Sequence, residues 1–186
     1  MKKTLILVAG MPGAGKTSFA DYLSDKLQFS LICKDTLKEI IWDRVRYDTN
    51  ERDESLVYGK LAYDLSFQFC KMLMKISQPI IFESNFVKPA DEILQVLVQK
   101  FGYKVINVLF SGDPEVIHKR FVERDKTNER HPGLVSYVHH DFEVFNKAAQ
   151  ICSNFSYGDF IIDVDATDFS KLSYENLMRE ILSYIK

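Results

Sequence analysis

The residues with the clearest chemical content stand near the start of the chain. There Gly10-Met11-Pro12-Gly13-Ala14-Gly15-Lys16-Thr17 fills every fixed position of the pattern G-x-x-x-x-G-K-[ST]. Gly13 and Gly15 let the backbone turn so that successive N–H groups, running on to Ser18, face a single anion. Lys16 adds a positive charge for the β and γ phosphates of a nucleotide, and Thr17 offers a hydroxyl to Mg²⁺. The chemistry expected is the binding of a nucleoside triphosphate, with ATP and magnesium as the cofactors. Ser18 stands where a dinucleotide-binding G-x-G-x-x-G needs its last glycine, which excludes that motif.

Further along the chain, polar residues recur where apolar runs end. Asp35 follows Phe29-Ser30-Leu31-Ile32-Cys33, and Glu83 closes Pro79-Ile80-Ile81-Phe82 with Ser84 and Asn85 behind it. A carboxylate at Asp35 can accept or align the proton of a hydroxyl attacking the γ-phosphate, so Asp35 is the candidate base and acceptor ligand. Glu83 sits where an acid is placed near a metal or its waters; glutamate instead of the commoner aspartate leaves metal contact, direct or through water, and acceptor contact both open. Arg120 and Arg124 are four residues apart and stack on one helix face, and Arg130 follows in a polar stretch broken by Pro132-Gly133. These arginines can reach the charge that spreads over a transferring phosphoryl group. Arg44 is a candidate grip for an anionic acceptor. Ala166 and Thr167 are placed to touch a nucleotide base through their backbone.

These groups can meet only if the elements between them bring them to one rim. Thr4–Ala9 reads as a buried parallel strand, followed after the glycine loop by a helix whose Phe19, Ala20, Leu23 and Leu27 recur at helical spacing. Residues 29–33, 79–83, 103–110 and 158–164 read as four more strands. In an open α/β sheet, ligands sit outside the carboxyl ends of the strands, so Lys16, Asp35 and Glu83 are expected on one edge. Thr36 is expected to cap a helix from Leu37 to Trp42. A polar surface connection then covers Asp43 to Glu54, with Arg46, Glu51, Arg52 and Asp53 in it. In the helix Ser55–Lys75, the row Leu61, Leu65, Phe69, Met72 and Ile76 is expected to face the core. Residues 36–78 thus form a helical, acceptor-side insertion, and residues 125–134, from Asp125 through Asn128 and Glu129, a short arginine lid. Asp113 with Pro114 opens one helix, and Pro89 with Asp91 and Glu92 another, whose buried face is Ile93, Leu94, Leu97 and Phe101. Val138, Phe142, Phe145 and Ala149 are expected as the stripe of a later helix. His139, His140 and Asp141 are neighbours about 100° apart on it and cannot share one metal ion.

Bulk properties fit a single domain over residues 1–186, with 46% hydrophobic and 27% charged residues. A formal net charge of −2 gives no bulk attraction for a polyanion, so a small hydroxyl-bearing molecule is expected as partner ahead of nucleic acid. Cys33, Cys70 and Cys152 lack metal-ligand spacing and read as reduced core thiols. Lys2-Lys3 precedes an apolar run too short for a secretion signal, and no segment is long enough to span a bilayer, so a soluble, cytoplasmic and complete protein is expected, with its oligomeric state open.

The set Gly10 to Thr17, Asp35, Glu83 and the Arg120/Arg124 pair before a lid resembles one branch of the P-loop kinases. That branch includes polynucleotide 5′-hydroxyl kinases, chloramphenicol phosphotransferase and zeta-toxin-like kinases. The resemblance implies a three-layer α/β/α P-loop NTPase fold with a five-stranded parallel sheet in the order 2-3-1-4-5. It implies ATP with Mg²⁺ and transfer of the γ-phosphate to a hydroxyl, with Asp35 as base and Arg120 and Arg124 on the phosphates. Three functions stay open on the sequence: a small-molecule kinase, a polynucleotide or nucleotide-sugar kinase of the toxin type, and an ATPase or nucleotide switch without an acceptor.

Overall fold

In the computed structural model, which describes residues 3–48, 52–127 and 130–185, alternating strands and helices build one parallel sheet. Lys2, Glu51, Asn128, Glu129 and the side chains of Arg52 and Asp53 lie outside the described residues. The strands are β1 (Thr4–Gly10), β2 (Ser30–Cys33), β3 (Ile80–Glu83), β4 (Lys104–Ser111) and β5 (Phe160–Asp165). The helices are α1 (Lys16–Leu27), α2 (Lys34–Val45), α3 (Arg52–Lys75), α4 (Ala90–Phe101), α5 (Pro114–Asp125), α6 (Phe142–Ser153) and α7 (Tyr174–Ile185). The strand order is β2-β3-β1-β4-β5. All the strand pairs are parallel, as runs of Val, Ile and Leu buried on both faces require.

Alternation along β1 sends its side chains to two cores. Ile6 and Val8 pack with α1, α5, α6 and α7 through Phe19, Ile117, Phe145 and Ile181. Leu5, Leu7 and Ala9 pack on the other face with Phe67, Cys70 and Met74 of α3 and Leu94 of α4. An aromatic chain joins this second core, with Phe82 4.9 Å from Phe86 and Phe86 stacked 5.0 Å from Phe155. Among the described residues, no helix is long and apolar enough to cross a membrane.

Register fixes the functional edge. Val8 pairs with Glu83 and Cys33 pairs with Glu83, so β1, β2 and β3 reach their carboxyl ends at one level. The loop after β1 leaves that level through Gly10 at φ 116°, where a side chain would place its Cβ 1.9 Å from the Phe110 carbonyl oxygen of β4. No other residue fits that approach.

Several local expectations change. Helix α2 begins at Lys34 directly from β2, without a side-chain cap, so Thr36 is an exposed residue of its first turn and not its cap. Asp35 therefore lies inside the helix, where a carboxylate meets the positive end of the dipole. Val138 belongs to a short 3-10 turn before α6 and is exposed, as is Ile93 on α4. The largest change is on α3 and the turn after it, where Leu61, Leu65, Phe69, Met72 and then Ile76 face solvent, while Ala62, Ser66, Phe67, Cys70 and Met74 face the core. Both rows recur with helical spacing, and periodicity alone does not say which of two apolar faces meets the sheet.

Gly59 sits inside α3 with open space where a Cβ would go. Replacing it with alanine adds helix propensity without a clash, so Gly59→Ala is expected to raise stability by about 0.5–1 kcal/mol. Urea unfolding measures this, and an unchanged midpoint would show that the glycine's flexibility is not limiting.

Candidate active site

The carboxyl ends of β1, β2 and β3 and the start of α1 enclose a cavity of about 520 Å³. Its walls bring together Gly13, Gly15, Lys16, Thr17 and Ser18 from the glycine loop, Lys34, Asp35 and Lys38 from α2, and Glu83 and Asn85 from the end of β3. Arg124, Arg130 and His131 close it from the far side. Residues up to 140 apart in sequence, Pro12 to Cys152, thus meet because the parallel sheet ends at one rim.

The loop is built to receive an anion. Gly15 holds the left-handed conformation, φ 83° and ψ 13°, as the residue before α1, leaving the first N–H groups of that helix free of an intrahelical partner. Lys16 Nζ donates to the Met11 carbonyl oxygen at 2.7 Å, so the ammonium spans the loop. Burial pulls the Lys16 ammonium below its ordinary pKa, against the opposing charges of Glu83 and Asp35. A phosphate in the loop would add a counter-charge for this buried cation. Thr17 is exposed at the cavity edge and Glu83 is buried beside Lys16. A hydroxyl and a carboxylate next to a phosphate cradle are hard oxygen donors, the set that suits magnesium held partly through water.

The acidic pair differs in character. For Asp35, burial raises the carboxyl, but the Lys34 ammonium 2.8 Å away, with Lys16 and Lys38 nearby, outweighs burial and holds it at about 2. Burial pushes the Glu83 carboxyl up, and Lys16 only partly offsets this. The Cys33 thiol donates to Glu83 Oε2 at 3.0 Å and is itself raised to about 12 by burial and by that carboxylate. Cys33 and Cys152 line the cavity, while Cys70 is a buried core thiol.

Each expected site residue can now be placed. Residues 12, 13 and 15–18, with Asp35, Glu83, Asn85, Arg124 and Arg130, surround the cavity, and Met11 and Ala14 lie buried beneath it. Arg124 lies 5.3 Å over the Phe121 ring with no ion pair among the described residues, which leaves its guanidinium available to the cavity. Arg120 does not line the cavity. It donates to the carbonyl oxygens of Ala166 and Thr167 and lies over the Phe169 ring at 4.2 Å, so it fixes the loop after β5 beside Gly15. Ala166 and Thr167 likewise stand outside the cavity; the Thr167 hydroxyl accepts from Asp113 N at 2.8 Å. Arg44 is a correction, because it is exposed on α2 nine residues after Asp35 and hence about half a turn round the helix from it. Ser84 is buried and does not line the cavity.

The segment read as a lid borders the cleft, and its described residues are tied on both sides. Asp125, buried at the end of α5, takes Arg130 Nε at 2.8 Å and His140 Nε2 at 3.2 Å and accepts from Ser136 N at 3.3 Å. On the other side, Gly133 lies so close to α2 that a Cβ would come within 2.6 Å of Trp42 Cβ. His131 Nε2 is 3.4 Å from Asp43. The sequence reading missed Lys34 and Lys38, whose signal was their spacing around Asp35 once the helix is started at Lys34. Lys38 lines the cavity one turn beyond Asp35, with no ion pair among the described residues. Burial and the neighbouring Lys34 charge lower its ammonium to about 8.

Known proteins share this fold. The family model described as "Zeta toxin" matches residues 1–164. A comparison with curated proteins gives no match. Among solved structures, a protein of Chloroflexus aurantiacus, provisionally described as a kinase, is similar over 100% of this chain and 97% of its own at 23% identity and a TM-score of 0.85. The shikimate kinase of Bacteroides thetaiotaomicron is similar over 98% of both chains at 15% identity and a TM-score of 0.58. A structure from the PezAT chromosomal toxin-antitoxin system of Streptococcus pneumoniae is similar over 98% of this chain and 83% of its own, at 14% identity and a TM-score of 0.60. At these identities the likeness is one of fold.

Asp125 gathers the lid onto α5, and removing its charge leaves Arg130 uncompensated. Asp125→Asn is expected to lower stability by about 3 kcal/mol, as when one partner of a buried pair is lost, and to expose the lid to protease. Limited proteolysis with mass mapping reads the second effect, and a cleavage pattern identical to the parent would detach Asp125 from the lid.

Proposed function

This chain belongs to the Zeta toxin family, and from that premise we propose that it is a kinase transferring the γ-phosphate of ATP to a hydroxyl of a small, anionic acceptor. The single observation that carries the reading is that Lys16 and Asp35, a phosphate cation and an ionised carboxylate, face one cavity of about 520 Å³. A volume of that size suits one small ligand beside the triphosphate end. Lys16, Lys34, Lys38, Arg124 and Arg130 line this one cavity, which favours a compact anionic acceptor over a polymer.

In this reading the glycine loop and Lys16 hold the triphosphate, Thr17 and Glu83 hold the magnesium ion, directly or through water, and Arg124 and Arg130 reach the transferred group. When bound, the ion offsets phosphate charge and aligns the oxygens. A bond forms from the acceptor oxygen to the γ-phosphorus as the bond to the ADP oxygen breaks, and the hydroxyl proton passes to Asp35. A carboxylate at about 2 is too weak a base to ionise an alcohol beforehand. Asp35 therefore orients the hydroxyl early and takes its proton late, which suits a loose transition state in which bond formation lags. Lys38, one turn along the same helix face, meets an anionic group of the acceptor. A nucleotide sugar falls within this acceptor class.

Labelled ATP offered to a panel of hydroxy acids, phosphorylated sugars, nucleotide sugars and 5′-hydroxyl oligonucleotides tests the proposal. Transfer to one of them is expected, and release of inorganic phosphate alone would support a nucleotide switch instead. Asp35→Asn should cut transfer by about 10²–10⁴ while ATP affinity stays nearly intact, and unchanged transfer would remove Asp35 from the mechanism. The pH dependence follows from Lys38. Its ammonium is charged below about 8 and neutral above, so the acceptor KM should rise as pH passes through 8. In Lys38→Arg that rise should move to higher pH, since a guanidinium keeps its charge, and a profile unmoved by the substitution would exclude Lys38 from acceptor binding.

A further inference from the structure

Helix α3 is apolar on two faces. Its inner row, Ala62, Ser66, Phe67, Cys70 and Met74, is buried against the sheet. At 100° per residue, Val57, Leu61, Leu65, Phe69 and Met72 form a second row about 120° wide on the opposite side of the helix, and Ile76 follows in the turn directly after its last residue, Lys75. Each of these six is exposed, from 36% at Leu65 to 66% at Ile76. A helix apolar on both faces is a helix covered on both faces, and the outer row is contiguous over five turns. Together the six side chains expose on the order of 500–600 Å² of apolar surface, the upper end of what a monomer leaves in water.

We propose that a second copy of this chain covers this row, through antiparallel pairing of α3 with its twofold mate. A single straight apolar row is its own complement under a dyad, which an unrelated partner would have to match by design. A dyad near residue 67 sets Val57 against Ile76, Leu61 against Met72 and Leu65 against Phe69 of the partner. Charge agrees with this register. Asp64 and Lys71 lie on the same flank of the row, on either side of the midpoint, so the dyad sets each beside the other's counterpart, twice per dimer. The six side chains alone supply the larger part of the roughly 800 Å² that each copy buries in a standard interface. The inference is independent of the reaction, because none of these residues lines the catalytic cavity.

Sedimentation velocity of the full chain at tens of micromolar should give twice the chain mass. Leu61→Glu sets a carboxylate against the partner's Met72 and is expected to weaken dimerisation by roughly thirtyfold or more, as loss of a central contact does. Adding Met72→Lys to that variant places opposite charges across the dyad and should restore the dimer, which separates a specific register from general loss of folding. Circular dichroism confirms that each variant is folded. A wild-type monomer at these concentrations, a Leu61→Glu dimer of unchanged affinity, or a double variant no better than the single one would each overturn the proposal.

Discussion

Lys16, Lys34, Asp35 and Glu83 share one cleft, and none of the four would be stable there as an isolated charge. Their mutual compensation is what the rest of the site depends on. Lys34 offsets the burial of Asp35, and Lys16 with the Cys33 thiol partly offsets that of Glu83. The balance is incomplete: burial still holds the Lys16 ammonium below and the Glu83 carboxyl above its ordinary pKa, so each charge is under-compensated where it stands.

The sheet makes this cluster possible. Parallel strands carry every carboxyl end to one edge, and the pairing of both Val8 and Cys33 with Glu83 sets three chain segments at equal height. The loop after β1 then crosses β4 through Gly10 with no room for a side chain. Arg120, pointing away from the cavity, holds the loop after β5 against Gly15 and so supports the cradle from outside. Cavity-lining residues and residues that hold the surrounding loops are thus interleaved along the same helix, Arg124 facing in and Arg120 facing the neighbouring loop.

Much of this was legible in the sequence because it rests on local rules. A glycine loop between a strand and a helix, and acids at the ends of apolar runs, located Lys16, Asp35 and Glu83 and gave the strand order through resemblance. What was not legible depends on which way an element faces. Arg44 fell on the wrong side of α2 because its angle relative to Asp35 depends on where the helix begins, and a start placed at Leu37 hid Lys34 and Lys38 as well. On α3 the row that faces the sheet, Ala62, Ser66, Phe67, Cys70 and Met74, holds the smaller and less apolar side chains, so the sequence pointed to the outer row, while close approach to the sheet selects the inner one. The Asp125 cluster joins residues up to fifteen apart through a loop whose path no periodicity encodes.

The chain has a single tryptophan, and it stands at the seam between lid and helix. Trp42 Nε1 donates to the Tyr47 carbonyl oxygen at 3.0 Å, its ring meets that of His131 edge-on at 5.4 Å, and Gly133 lies against its base. Arg46 stacks 4.4 Å over the same indole from the solvent side. The protein thereby contains its own optical gauge. Any displacement of the segment around Gly133 alters the polarity and quenching around one chromophore, with no second indole to dilute the emission.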